Sequence, residues 1–140
     1  MEINIAVSTS GDNWVAYWKE KNSHQHNYLK DKWDGGHESA KIHALVAALI
    51  KIDNARIINI YSNDEWLIYG GSGGWGRKRE IWQEYYDWED WERSEEEEGR
   101  RIRPSYLWHW VGKKDYSAEG YGLVNIAYHF AKDPSKKKKV

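Results

Sequence analysis

The segment RIINIYSNDEWLIY, Arg56 to Tyr69, decides the fold, because an apolar-polar alternation runs into a short helix-like run with almost no connecting residues. Strand side chains alternate with period two and helix faces recur every three to four residues, so the change of period marks a strand-to-helix corner. In an open α/β sheet, the carboxyl end of such a strand projects into the crevice where sites are usually built. Here that end carries Ser62, Asn63 and Asp64, and the middle position is an amide rather than an acid.

Upstream, Glu2 to Thr9 sets Ile3, Ile5 and Val7 on one side of a strand. After the turn Ser10-Gly11-Asp12-Asn13, Trp14 to Lys19 reads as a second strand and Asn27 to Trp33 as a third. Short turns between sequential strands predict an antiparallel meander. From His37 to Ile52, Ile42, Leu45, Val46, Leu49 and Ile50 recur at helical spacing. A helix between strands is a crossover, so the strand Arg56 to Tyr61 is expected to lie parallel to one strand of the meander.

Downstream, Glu65 to Tyr69 is expected to be a short helix stopped by Gly70-Gly71, with Gly70 to Gly76 a flexible connector carrying Trp75. A helix from Arg79 to about Glu98 follows, its buried face predicted at Ile81, Tyr85, Trp88 and Trp91. The glutamates Glu95 to Glu98 oppose the dipole at its C-terminal end, which is expected to fray unless Arg100, Arg101 and Arg103 neutralise them. Ser105 to Val111 completes the strands and Glu119 to Lys132 the helices. The expected architecture is α/β: a five-stranded mixed sheet, three antiparallel strands then two parallel, flanked by helices. Residues 1–132 form its single domain, and 133–140 a basic, disordered tail.

Composition limits the function. The 140 residues suffice for one core without staples, and the absence of cysteine excludes disulfides and thiolate chemistry. The apolar run Ile42 to Ile50 is too short to cross a bilayer, and Glu2 and Asn4 break any signal-peptide pattern, so a soluble protein of the cytoplasm or nucleus is expected. With 21 basic and 22 acidic residues, only a local patch could attract nucleic acid. Ten Trp and ten Tyr against one Phe supply amphipathic rings for half-buried surfaces and for stacking. His24 and His26 share one strand face but have no third ligand at a recognisable spacing.

The order of elements and several local stretches resemble ribonuclease H of type 1. Lys41-Ile42-His43-Ala44-Leu45-Val46-Ala47-Ala48-Leu49 resembles that family's first-helix pattern E-L-x-A-x-x-x-A-L, and Tyr61-Ser62-Asn63-Asp64-Glu65-Trp66 its Y-T-D-S-x-Y corner. Gly74-Trp75 and Ile81-Trp82-Gln83 resemble landmarks around the family's basic handle. His109-Trp110-Val111-Gly112-Lys113-Lys114 is similar to H-W-V-K-G-H, and Asn125 to Ala131 to N-E-x-A-D-x-L-A, with the asparagine displaced by one. The resemblance covers nearly the whole chain.

It implies hydrolysis of the RNA strand of RNA/DNA hybrids with two metal ions held by four carboxylates. Carried over by position, those carboxylates fall on Ser8, Lys41, Asn63 and Tyr128, none of them an acid, and the family's mobile histidine falls on Lys114. Hard divalent cations need anionic oxygen ligands, which a serine, an amide and a phenol do not provide. A lone Lys41 would also repel a metal: like unit charges about 4 Å apart cost about 4 kcal/mol at an effective dielectric of about 20. A one-residue slip could bring Asp64 or Glu38 inward, but it would take Tyr61 and Trp66, or Ile42 and Leu45, off their buried faces.

The resemblance therefore implies a pseudoenzyme without metal or other cofactor. As a binding module for RNA/DNA hybrid or duplex RNA, it would use Lys41, Trp75, Arg77, Lys78, Arg79, Lys113 and Lys114 for phosphate contacts and stacking. The competing reading of Lys41 is that it satisfies Asp64. As a protein-interaction or oligomerisation scaffold, it would instead dock through Tyr86 and Trp91. A residual metal-dependent ribonuclease is the remaining alternative.

Overall fold

In a computed structural model of the chain, residues 1–112 and 119–136 are described. The elements run β1 (Glu2–Ser10), β2 (Asn13–Glu20), β3 (Asn27–Lys32), α1 (His37–Lys51), β4 (Ile57–Ser62), α2 (Glu65–Ser72), α3 (Arg79–Glu97), β5 (Ser105–Trp110) and α4 (Glu119–Lys132). The five strands form one sheet in the order β3-β2-β1-β4-β5. β1 pairs antiparallel with β2 and β2 with β3, whereas β4 lies parallel to both β1 and β5. The mixed sheet and its parallel crossover are those the sequence predicts.

The register Ile3↔Ile58 and Ile5↔Ile60 lines up the β-branched residues of β1 and β4 on one face. They pack there with Ile42, Leu45 and Leu49 of α1 and with Trp82, Tyr85 and Trp88 of α3. Each fully buried aliphatic side chain of this set contributes about 1.5–3 kcal/mol. On the other face, Ala6, Val15 and Tyr17 meet Leu123, Val124, Ala127 and Ala131 of α4. The C-terminal end of α4 is tied to β3 by Lys30, whose buried Nζ donates to the carbonyls of Phe130 (3.0 Å) and Asp133 (2.7 Å). A cation placed there satisfies open carbonyls and complements the dipole. His24 and His26 do not share a strand face as expected: both lie in the connection before β3, which begins at Asn27, and His26 stacks on Tyr17 at 5.3 Å.

Three further expectations are corrected. First, α2 does not stop at Gly70-Gly71 but runs through both to Ser72, and the left-handed residue that ends it is Gly73 (φ 90°). The paired glycines are a packing device: a Cβ on Gly70 would stand 2.8 Å from the Trp82 ring, and one on Gly71 2.3 Å from the Trp108 ring. Second, α3 buries Trp82, Tyr85, Trp88 and Glu92, while Ile81 is only half-buried and Trp91 is 47% exposed.

Third, Arg101 and Arg103 do not neutralise the glutamate run. Glu92, 1% exposed, accepts from Tyr106 Oη (2.7 Å) and Arg101 Nε (3.2 Å), and Arg103 Nε lies 3.5 Å from its other oxygen. Only Arg100 reaches back to the run, pairing with Glu95 and Glu98. Burial and the Glu92 carboxylate push the Tyr106 phenol well above its usual range, which keeps it a donor. A buried carboxylate must be met by such partners, and Glu92 finds them on the face of α3 that also buries Trp82, Tyr85 and Trp88.

No helix among the described residues is long and apolar enough to cross a membrane. The expected tail falls partly outside the described residues, at 137–140. Gly71→Ala is expected to lower stability by about 1–3 kcal/mol through overpacking against Trp108. Gly76→Ala, where a Cβ meets nothing within 4 Å, should stay within about 0.5 kcal/mol. Urea midpoints of the two variants check this, and equal midpoints would refute the packing role of Gly71.

Candidate functional site

Because β1 and β4 run parallel, both deliver their carboxyl ends to the same edge of the sheet. Ser8 lies near the end of β1, and Asn63 immediately follows β4. Helix α4, packed on the same face, adds Val124, Asn125 and Tyr128, and the residues after β5 add Val111 and Gly112. Together they enclose a cavity of about 410 Å³. Three of the four positions that the resemblance assigns to carboxylates, Ser8, Asn63 and Tyr128, thus share one cavity although they are far apart in the chain.

Lys41 does not line it. Its ammonium is held by the carboxylate of Asp64, with the two side chains 15% and 24% exposed. Asp64 is fixed in turn by its own N–H, which donates to Ser62 Oγ at 3.0 Å. Of the two readings of Lys41, the structure contains the pairing with Asp64, in which the pair is neutral and the cation already matched. The nearest carboxylate to Asn63 in the chain is thereby engaged outside the cavity lining. Among the described residues, the polar side chains of the lining, a hydroxyl, two amides and a phenol, do not fit a hard divalent cation.

Arg77 is also internal. Its Nε donates to Gly70 O (2.7 Å), Nη2 to Gly71 O (3.0 Å) and Nη1 to Glu89 (3.1 Å), so the guanidinium caps the end of α2. It lies 4.7 Å from the centre of the Trp82 ring, 5.3 Å from Tyr85 and 5.4 Å from Tyr86. Arginine is suited to this use because a planar fork both donates and stacks. The neighbouring residues are different. Lys78 and Arg79 are exposed at the start of α3, Arg79 reaching only Gln83 at 3.4 Å. Trp75 is 50% exposed and rests on Tyr69 with ring centres 5.1 Å apart. The handle thus keeps one stacking ring and two cations at its surface, and Lys113 and Lys114 lie outside the described residues.

Tyr86 and Trp91 do not form one docking face. Five residues apart at about 100° each, they point about 140° away from one another. Tyr86 is half-buried beneath Arg77, beside a cavity of about 250 Å³ with Glu89 and Arg93. Trp91 stacks on Trp88 at 4.9 Å and borders a larger cavity of about 580 Å³ with Arg56, Arg101 and Ile102.

Two residues that the sequence did not single out matter at the 410 Å³ cavity. Asn125, in the sequence no more than a displaced motif residue, lines the wall. Trp110, 44% exposed, donates its Nε1 to the carbonyl of Asn63 at 3.4 Å and so stands at the rim. Its position at the end of an edge strand is the signal that could have found it.

No protein-family model matches the chain, and no curated protein matches it in sequence. Solved structures do. LC11 RNase H1, determined in complex with an RNA/DNA hybrid, is 14% identical, with a TM-score of 0.58 over 94% of this chain and 99% of that one. The N-terminal RNase H domain of a Mycobacterium tuberculosis protein gives 14% identity and a TM-score of 0.58 over 90% and 95% of the two chains. RNase H1 of the halophilic archaeon Halobacterium salinarum gives 12% and 0.51 over the same shares, 90% and 95%. At such identities the likeness defines the fold, and this chain has the ribonuclease H-like fold.

The Lys41–Asp64 pair can be measured by a double-mutant cycle. Lys41→Met and Asp64→Ala are each expected to destabilise, with a coupling energy of about 1–2 kcal/mol in denaturant titrations. Additive effects would show that the pair carries no net interaction.

Proposed function

We propose that this domain binds RNA/DNA hybrid or duplex RNA without cleaving it, as a pseudoenzyme built on the ribonuclease H-like fold. The observation that carries this reading is the lining of the 410 Å³ cavity, where Ser8, Asn63 and Tyr128 stand at positions that the resemblance assigns to metal-binding carboxylates. Neutral groups there neither hold metal nor repel phosphate, so a backbone can approach without ions to offset the charge. The solved LC11 RNase H1 complex with an RNA/DNA hybrid supports the choice of ligand.

The contacts are assigned to the handle. Trp75 offers a sequence-tolerant stacking face, and Lys78 and Arg79 offer phosphate contacts. Lys113 and Lys114 extend the set. Lys41 and Arg77 act indirectly, by holding the corner and the end of α2 in place.

A second reading, a protein-interaction or oligomerisation scaffold, is favoured by one observation. Trp91 and Ile102, 47% and 87% exposed, border the 580 Å³ cavity at the far end of α3, and exposed tryptophan is a frequent interface anchor. On that reading Trp91→Ala abolishes self-association seen by light scattering. A wild-type monomer at all concentrations removes the oligomer form of it.

For the first reading, a labelled hybrid is expected to bind at about 50 mM salt and to weaken as salt rises. Trp75→Ala should weaken binding about tenfold. Lys78→Ala should act uniformly on all sequences while reducing the salt slope by about 1. Magnesium or manganese should leave the hybrid intact. Undetectable affinity for hybrid and duplex RNA alike would sink the binding reading, and metal-dependent cutting abolished by Asp64→Ala would restore an enzyme.

A further inference from the structure

We propose that the 410 Å³ cavity accepts an unpaired nucleobase of the bound nucleic acid. Its volume lies within the range of small-ligand pockets, about 300–1,000 Å³. Val111 and Val124, both buried, supply apolar walls, while Ser8, Asn63, Asn125 and Tyr128 supply hydrogen-bonding groups. Each amide presents a donor and an acceptor side by side.

The chemistry of the lining selects the ligand. A phosphate seated inside the cavity would need a cation, yet the described residues of the lining supply none, and Lys41 is committed to Asp64. An acyl chain would cover the amides and hydroxyls without satisfying them, which is costly. A flat, neutral ring with several donors and acceptors along its edge meets both the valines and the amides.

Two exposed rings make the entrance. Tyr128 is 41% exposed on α4, and Trp110 is 44% exposed and anchored through Asn63 O. Gly112 lines the cavity and lies under Trp110, since a Cβ on it would stand 3.5 Å from that ring. A base leaving its stack would exchange neighbouring bases for these rings, and a ring contact of this kind is worth about tenfold in affinity. The inference deepens the binding reading above and rests on it for the source of the base.

The test uses the full chain and two probes, a fully paired RNA/DNA hybrid and the same hybrid with one bulged fluorescent adenine analogue. The bulged probe is expected to bind about tenfold more tightly and to lose fluorescence on binding. Asn125→Ala and Tyr128→Ala should remove both effects, whereas Trp75→Ala should weaken both probes equally. Asn125 and Tyr128 are exposed, so these variants should keep the far-UV circular dichroism of the wild type.

Equal affinity for both probes, unchanged by Asn125→Ala, overturns the base pocket and leaves hybrid binding intact. If neither probe binds but free adenosine shifts the Asn125 side-chain amide resonances, the pocket stands as a nucleoside site and the nucleic-acid reading falls. Failure of both probes and of adenosine overturns both.

Discussion

The parallel pairing of β1 with β4 is the constraint on which the rest of the molecule depends. Hydrogen bonding in that register sets Ile3 and Ile5 beside Ile58 and Ile60, and this alignment fills one face of the sheet against α1 and α3. It also makes the two strands end together, so Ser8 and Asn63 face the same cavity. A slip by one residue would turn every side chain of β4 over, taking Ile58 and Ile60 off the face packed by α1 and α3 and putting Asn59 and Tyr61 there in their place. Packing and site are thus fixed by a single choice of register.

Charge is arranged around that frame by pairing rather than by exposure. Lys41 is held by Asp64, Arg77 by Glu89 and two carbonyls, and Glu92 by Arg101, Arg103 and Tyr106. Each pair joins elements that the backbone ladder does not: α1 to the corner after β4, α2 to α3, and α3 to the segment entering β5. Removing one partner would strand a charge in a poorly solvated place, which costs far more than an intact pair contributes. The consequence for function is that several residues with the chemistry of a nucleic-acid contact are occupied, and the free cations of the handle are Lys78 and Arg79 among the described residues.

The cavity lies at the carboxyl ends of β1 and β4, where the fold brings together residues far apart in the chain. Among the described residues its polar side chains are neutral and can donate or accept, its walls are valine, and two aromatic rings stand at its edge. A metal centre asks for converging negative charge, whereas a flat neutral ligand asks for edge hydrogen bonds and stacking. The same backbone corner serves either end, depending on the side chains placed around it.

The order and type of the elements, the parallel crossover, and the lack of an acid at Ser8, Lys41, Asn63 and Tyr128 are all legible in the amino-acid sequence. These are local properties, because periodicity follows from backbone geometry over a few residues and an amide cannot become a carboxylate by folding. Only the tertiary structure decided which charges were spent. The pairing of Lys41 with Asp64, 23 residues away, is one of two readings open to the sequence, and nothing in the local patterns of Arg101 and Glu92, nine apart, says that they meet. It likewise decided that Gly70 and Gly71 sit inside a helix rather than ending it, because the rings of Trp82 and Trp108 arrive from elsewhere in the chain to fill the space a side chain would need. Partners for long side chains and room for small ones are set by neighbours that arrive through folding, which is why the corner was readable from Arg56 to Tyr69 and its occupants were not.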